Sequence, residues 1–320
     1  MIVTEIYPGS ALGNQLWWMV VTRVLAEKNG YDWGVATPHH FRGRNFMPDY
    51  DFGKTVTGGH SPGFWHLGQL PASLHDGLVN YYQESIKPMP QCGNSPIMFD
   101  ENLWNNLSDN TKIDGYFQCM GYIKDRKDDI RGWLSHNVNV TEYSDDDICV
   151  IHFRGGEYLV TASWCPPEYY ANARDRMLEI NPNMKFVVVT DDPANANKFI
   201  PWAPVVGATT VKEQDPIEQG TGFYQYKGGN IGIDYSILNN AKNVIMSAST
   251  FSFWPVWTSP FDNNVIAPKY WFDYKTSDGW WRGVDSIVDE WLYIDTNGAI
   301  MNGVDCKEEF HGYRKNHEVV

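Results

Sequence analysis

Arg154 stands between His152 and the glycine pair Gly155-Gly156, just past the apolar run Ile148-Cys149-Val150-Ile151. A guanidinium is a permanent bidentate donor, and glycines beside it let the backbone come close to a bound anion. Ser249 and Thr250 follow another short apolar run and open a predicted helix, where unsatisfied N–H groups and the helix dipole favour a phosphate. Together the two clusters describe a diphosphate site. Each alone has a plainer reading, with Arg154 paired to a carboxylate and Ser249 or Thr250 capping its helix. Thr190-Asp191-Asp192 closes a third apolar run, and Asn14-Gln15 follows Gly13 at the start of the first helical pattern, where Asn14 is either an N-cap or a ligand contact. Glu157, in the same stretch as Arg154, is a carboxylate that could deprotonate a hydroxyl as general base, or one that orients Arg154 or a backbone N–H.

Other chemistries find less support. The nine histidines show no His-Glu-x-x-His spacing, and His39-His40, His60 and His66 read as loop residues. Neither a Gly-x-Ser-x-Gly elbow nor a P-loop Gly-Lys-Ser/Thr is present, which argues against a serine hydrolase or a Walker-type kinase. Five cysteines, odd in number and far apart, fit reduced thiols better than a disulfide framework or a zinc site. Asp145-x-Asp147, Asp49-x-Asp51 and Asp191-Asp192 are the carboxylate pairs that could hold a divalent metal, but Asp145 and Asp147 precede a strand rather than follow one.

The elements that would carry these residues alternate. Met1 to Tyr7 reads as a strand, broken by Pro8-Gly9-Ser10. A helix follows from Asn14 or Gln15 to Lys28, with Leu16, Val20 and Val24 at i+4 spacing and Asn29-Gly30 as its C-cap pair. Tyr31 to Val35 reads as a second strand. Residues 38 to 115 are rich in Gly, Pro, His and aromatics, so long loops and short elements are expected there. Further on, strands at 148–153, 185–190 and 243–246 alternate with helices opening at Pro166-Pro167, Asp191-Asp192-Pro193, Ile233 and Phe251. That alternation predicts a Rossmann-like α/β domain, whose ligands bind at the carboxyl ends of the strands. The acidic stretch Glu142 to Asp147 marks the expected boundary, giving domains 1–145 and 146–320, with the final segment packing back on the first domain.

The chain has 320 residues, 42% hydrophobic and 20% charged, which suits a globular protein of one large or two ordinary domains. A net charge of -14 and an isoelectric point near 5.0 argue against a general nucleic-acid binder. The longest apolar runs fall far below the roughly 20 residues of a membrane span, and the N-terminus shows no basic or long apolar signal region. A soluble, cytoplasmic protein is expected.

In the order and wording of these clusters the chain resembles the family 11 glycosyltransferases, α-1,2-fucosyltransferases that use GDP-fucose. Five stretches carry the resemblance in order: Leu12-Gly13-Asn14-Gln15-Leu16 with Leu25 to Tyr31, Asp114-Gly115-Tyr116-Phe117-Gln118, His152-x-Arg154-x-Gly156-Glu157-Tyr158, Ser247-Ala248-Ser249-Thr250-Phe251-Ser252-Phe253-Trp254, and Val265 to Phe272. The resemblance implies a GT-B-like arrangement, two Rossmann-like domains facing across a cleft, with the donor held mainly by the C-terminal one. It implies inverting transfer of fucose to a glycan hydroxyl, with no cofactor and no metal. Arg154 would bind the diphosphate and stabilise the GDP leaving group. Ser249, Thr250 and the N–H of Phe251 would complete the phosphate cradle, Asn14 would reach the donor, and His152 would support the motif. Asp192 or Asp234 could accept from the guanine edge. Where the family has a second Arg this chain has Gly155, its Asp is Glu157, and the Asn of its Ser-Asn-Ser-Thr is Ala248. The missing Arg leaves open a transferase using another GDP-sugar, or a catalytically inactive sugar- or nucleotide-binding protein. Trp17, Trp18, Trp65, Tyr81 and Tyr82 could stack on acceptor sugars, although core packing explains most such residues.

Overall fold

The computed structural model describes residues 1–57, 75–89, 93–96, 99–208, 211–214, 224–226, 231–282 and 285–317. They form two compact units, Met1–Ser135 with Asp285 and Ser286, and His136–Arg282 with the residues from Ile287 onward. The acidic stretch Glu142 to Asp147 lies inside the second unit and leads into its first strand.

The first unit opens with β1 (Ile2–Glu5), α1 (Leu12–Lys28) and β2 (Trp33–Ala36), and continues with β3 (Asn80–Gln83) and the antiparallel pair β4 (Ile86–Met89) and β5 (Gly93–Pro96). It then runs through α2 (Glu101–Asn106), β6 (Thr111–Asp114), α3 (Met120–Ile123) and α4 (Lys127–Trp133). Its main sheet, in the order β2-β1-β6-β3, is parallel throughout. Helix α1 packs against β1, β2 and α3, and Trp17, Trp18, Met19, Val20 and Val21 are all buried. An apolar circumference of this kind marks a helix enclosed by its neighbours, not one with a single stripe facing a core. The helix begins at Leu12, earlier than its sequence pattern suggests, because buried Leu12 and Gly13 already belong to the packed surface. Ala11 is the N-cap and Asn14 sits in the first turn, its own N–H bonded to Ala11 O at 3.1 Å, so the capping reading of Asn14 is corrected. At the other end Asn29 is the C-cap and Gly30 follows at φ +69°, where a side chain would be strained.

The second unit contains β7 (Ile148–Phe153), α5 (Pro167–Ile180), β8 (Lys185–Thr190), α6 (Pro193–Phe199) and β9 (Val205–Ala208), then the antiparallel pair β10 (Val211–Gln214) and β11 (Tyr224–Tyr226). α7 (Ile231–Asn240), β12 (Asn243–Ile245), α8 (Thr250–Trp257), β13 (Asn264–Pro268), β14 (Leu292–Ile294), β15 (Ile300–Asn302) and α9 (Gly303–His317) complete it. The sheet order is β9-β8-β7-β12-β13-β14-β15, parallel except for β15. The chain therefore enters at the middle, winds out to β9, and returns to wind the other way from β12. That is the doubly wound order, with its switch point between β7 and β12. Such a sheet is covered on both faces, which is why β7 and β8 read as continuous apolar runs. Ile151, Phe153 and Val188 are completely buried in the core of this unit with Ile245 and Tyr170. Each large apolar side chain buried there contributes about 1.5–3 kcal/mol. Helix α9 stays with this unit, packing on β14 and β15.

Candidate functional site

At the switch point of the second unit, β7 and β12 pair in register through Ile151 and Ile245, and the residues just beyond lie side by side. His152 Nδ1 and Ser247 Oγ are hydrogen-bonded at 2.7 Å, tying the end of one strand to the loop after the other. His152 is buried, and burial, with Arg154 adding to it, pushes its imidazole down to about 3. It is thus a neutral ring at ordinary pH, a structural brace for the loop rather than a proton carrier.

Arg154 extends past the end of β7 with both terminal nitrogens engaged. Nη1 donates to Asp191 Oδ2 and Nη2 to Glu157 Oε1, while the guanidinium lies 4.8 Å from the ring centre of Tyr158. Asp191, one strand over at the end of β8, also accepts from the N–H of Gly155 at 2.8 Å. Burial raises its carboxyl, against the pull of Arg154 and that N–H. The plain reading of Arg154 as a paired guanidinium therefore holds, and of its two carboxylate partners the exposed Glu157 would yield to an arriving anion more readily than the less exposed Asp191.

The remaining site residues lie at helix starts. Asp192 is the N-cap of α6: its Oδ1 accepts from Asn195 N at 3.2 Å, and its Oδ2 from Gly156 N at 3.0 Å and Asn195 Nδ2 at 2.7 Å. Burial works to raise its carboxyl, but these hydrogen bonds outweigh it and hold the group below its usual range. Ser249 is the N-cap of α8, accepting from Phe251 N at 3.3 Å, with Thr250 buried in the first turn. The Phe251 ring lies 5.8 Å from that of His152, so this helix start and the end of β7 share the switch point. Asp234, in the first turn of α7, is buried against β9, where a Cβ on Gly207 would come within 2.5 Å of its Oδ1. Asp234 thus sits beside β9 and Arg154 at the end of β7, with β8 between those strands.

In the first unit, Asn14 Oδ1 accepts from Gln118 Nε2 at 3.2 Å, which joins the Leu-Gly-Asn-Gln stretch to the Gly-Tyr-Phe-Gln stretch. Gln15 is spent on structure: its Nε2 donates to Ser10 O and His40 O, and its Oε1 accepts from Arg42 N. Trp17 and Trp18 belong to the core, Tyr81 donates to Asp114 and Tyr82 to Asp100, and Trp65 lies outside the described residues, as do His60, His66 and Cys92. Sequence reasoning missed Asp191 as the partner of Arg154, Ser247 as that of His152, and Gln118 as that of Asn14. Each stood inside a quoted stretch, but only strand register shows which residues meet. Among the described residues no group of three or more His, Cys, Asp or Glu side chains is placed to hold a metal ion, and no helix is long and apolar enough to cross a membrane.

In this doubly wound sheet an arginine follows β7 and a helix starts after the neighbouring β12, at the edge where open α/β sheets bind ligands. Comparison with known proteins bears on its class. An α-1,2-colitosyltransferase of Escherichia coli is 22% identical over 235 residues, 68% of this chain and 75% of that protein. WbnK, an O-antigen biosynthesis glycosyltransferase of Escherichia coli, is 23% identical over 159 residues, 46% of this chain and 45% of that protein. Among solved structures, NodZ α-1,6-fucosyltransferase soaked with GDP-fucose aligns over 94% of this chain and 98% of its own at 12% identity and a TM-score of 0.36. TibC, an iron-containing dodecameric glycosyltransferase of enterotoxigenic E. coli H10407, aligns over 83% and 59% at 8% identity and a TM-score of 0.33. Both TM-scores are too low to carry a structural argument. No protein-family model matches. The chain is a glycosyltransferase-like α/β protein, and its resemblance to the family 11 enzymes agrees with the sequence relatives.

Proposed function

We propose that this chain transfers fucose from GDP-fucose to a hydroxyl of a glycan acceptor, with inversion and without a metal. The observation that carries the reading is Arg154 at the carboxyl end of β7, the strand that neighbours β12 and its following helix α8 at the switch point of the second unit. A pyrophosphate there would take the guanidinium in exchange for Glu157 and meet the N–H groups around Ser249, Thr250 and Phe251. As the sugar–phosphate bond breaks, charge builds on the diphosphate, and a fixed guanidinium stabilises it without reorganisation. Asp191 would hold Arg154 in place throughout, and Glu157 is read as its second orienting partner. Asp192, the cap of α6, or Asp234, in the first turn of α7, would accept from the guanine edge. Asn14 would contribute from the first unit.

A second reading keeps the chemistry and changes the sugar. One sequence relative is a colitosyltransferase, and Gly155 stands where the family has a second Arg. Competition between GDP-fucose and other GDP-sugars decides this: turnover of another donor with none of GDP-fucose refutes the fucose assignment. The nucleotide is tested by calorimetric titration with GDP, with and without EDTA. Binding unaffected by the chelator and lost in Arg154→Ala is expected, along with a fall in transfer of about 10²–10³-fold. Full activity in a folded Arg154→Ala protein refutes the diphosphate role, and GDP binding without transfer across an acceptor panel would point to a binding protein.

A further inference from the structure

A second polar arrangement lies at the carboxyl edge of the first unit's sheet. Glu84 follows β3, and the segment from Gly115 to Gln118 follows β6, the strand paired with it. Ligands of open parallel sheets bind at this edge. Gly115 permits the approach of the two segments, since a Cβ there would lie 2.4 Å from that of Glu84. Glu84 Oε2 accepts from Tyr116 N at 2.6 Å and Phe117 N at 3.4 Å. Those bonds hold Phe117 at φ +51°, a left-handed conformation that costs on the order of 1–3 kcal/mol in a residue with a bulky side chain.

The strained turn delivers Gln118, whose Nε2 reaches Asn14 at the start of α1. Gln118 is 5% exposed, and its Oε1 is buried with no hydrogen-bond partner among the described residues. A buried amide oxygen left in that state costs about 1–3 kcal/mol, so folded proteins rarely leave one unused. Turning the amides over changes which polar atom of Gln118 is left, not that one is left. A hydroxyl suits either case because it both donates and accepts. Around Glu84 the facing groups are Asp100 and the neutral phenols of Tyr82 and Tyr122, which offer a ligand hydrogen bonds rather than a cation.

We propose that Gln118, braced by Glu84 through the Phe117 turn and paired with Asn14, forms a sugar-hydroxyl subsite in the first unit. The subsite rests on the glycosyltransferase reading above and adds a residue that binds a neutral hydroxylated ring, supplied by either the donor sugar or the acceptor glycan. Gln118→Ala removes the amide, and Gln118→Met removes it while keeping the buried volume. Both variants are compared with the wild-type chain by calorimetry with GDP and GDP-fucose and by saturation-transfer NMR with lactose. GDP affinity is expected to stay unchanged in both. If the donor sugar uses the subsite, GDP-fucose affinity falls roughly tenfold or more relative to GDP. If the acceptor uses it, the lactose signal disappears while both nucleotide affinities hold. Sugar responses equal to wild type in both variants overturn the subsite. Failure of the wild-type chain to bind GDP overturns the donor reading instead, and lactose then decides the subsite: a signal lost in Gln118→Met supports it, and a signal retained, or absent from the wild type, overturns it.

Discussion

The two sheets carry their charge in different places, although both units bury charged side chains, Glu5 and Lys112 in the first and Asp234, Lys269 and Asp273 in the second. In the second, the core below the sheet edge is apolar, and the charged groups of the site, Arg154, Asp191 and Asp192, gather beyond the ends of β7 and β8. In the first, charge lies within the sheet itself. Lys112 is 1% exposed, with Nζ 2.5 Å from Glu5 Oε2 and 3.6 Å from Asp114 Oδ2, and His75 lies 3.5 Å from the same Glu5 oxygen. The hydroxyls of Tyr7 and Tyr81 donate to Asp114 at 2.6 and 2.9 Å. Burial would raise the Glu5 carboxyl, but His75 and Lys112 hold it below its usual range. Both units pair these charges internally, the first within its sheet and the second beyond the ends of β7 and β8.

The largest effect should come from breaking the internal balance. Lys112→Met leaves two buried carboxylates facing each other and should cost about 3–5 kcal/mol in urea unfolding, while GDP binding by the protein that remains folded is unchanged. A cost below about 1 kcal/mol would mean that the ladder behaves like a surface pair and that the contrast is one of appearance.

Next in size is a pH effect from Glu84, whose carboxyl burial pushes up to about 8, with Asp100 adding and the N–H groups of Tyr116 and Phe117 opposing. Between its ordinary value of 4.5 and about 8, the folded chain keeps a proton that the unfolded chain has released. Stability from this group is therefore full at acid pH and is lost as pH rises through that window. Glu84→Gln should flatten that part of the stability–pH curve, as read by unfolding midpoints at pH 5 and pH 8. An unchanged slope would show that Glu84 ionises normally and does not brace the Phe117 turn as a protonated group.

The smallest effect tests the helix-capping carboxylate of the other unit. Asp192→Ala should lower stability by about 1 kcal/mol, as the loss of a helix cap does, and leave GDP affinity intact. A large loss of GDP binding would assign the guanine edge to Asp192 rather than Asp234.

Much of the second unit was legible because its signals are local. The apolar runs Ile148–Phe153 and Lys185–Thr190 have the composition of strands covered on both faces, and Pro167 and Pro193 announce helix starts. The first unit hid its logic because Glu5, Lys112 and Asp114 read as polar positions on half-exposed strands, whereas the fold buries them against one another. Glu84 lay in a stretch with weak periodicity, and nothing in its neighbours signals two backbone N–H partners more than thirty residues away. Pairings across the chain, such as Arg154 with Asp191 or Asn14 with Gln118, depend on strand order and register, which no local pattern carries.

Gly155 imposes an order on what this sequence can become. A Cβ at that position would lie 2.4 Å from the Cβ of Asp192 and 2.8 Å from its Oδ2, atoms held by the cap of α6. Restoring the second arginine of the family resemblance in one step would therefore drive the new side chain into a helix cap. Because the nearest atom is the Cβ of Asp192, only glycine at 192 or a shift of the two segments apart, at the expense of α6, would accommodate an arginine at 155. The two positions form a ratchet: a lineage that has settled on glycine and aspartate here is steered away from the two-arginine arrangement, and any gain in phosphate binding is more accessible elsewhere in the site.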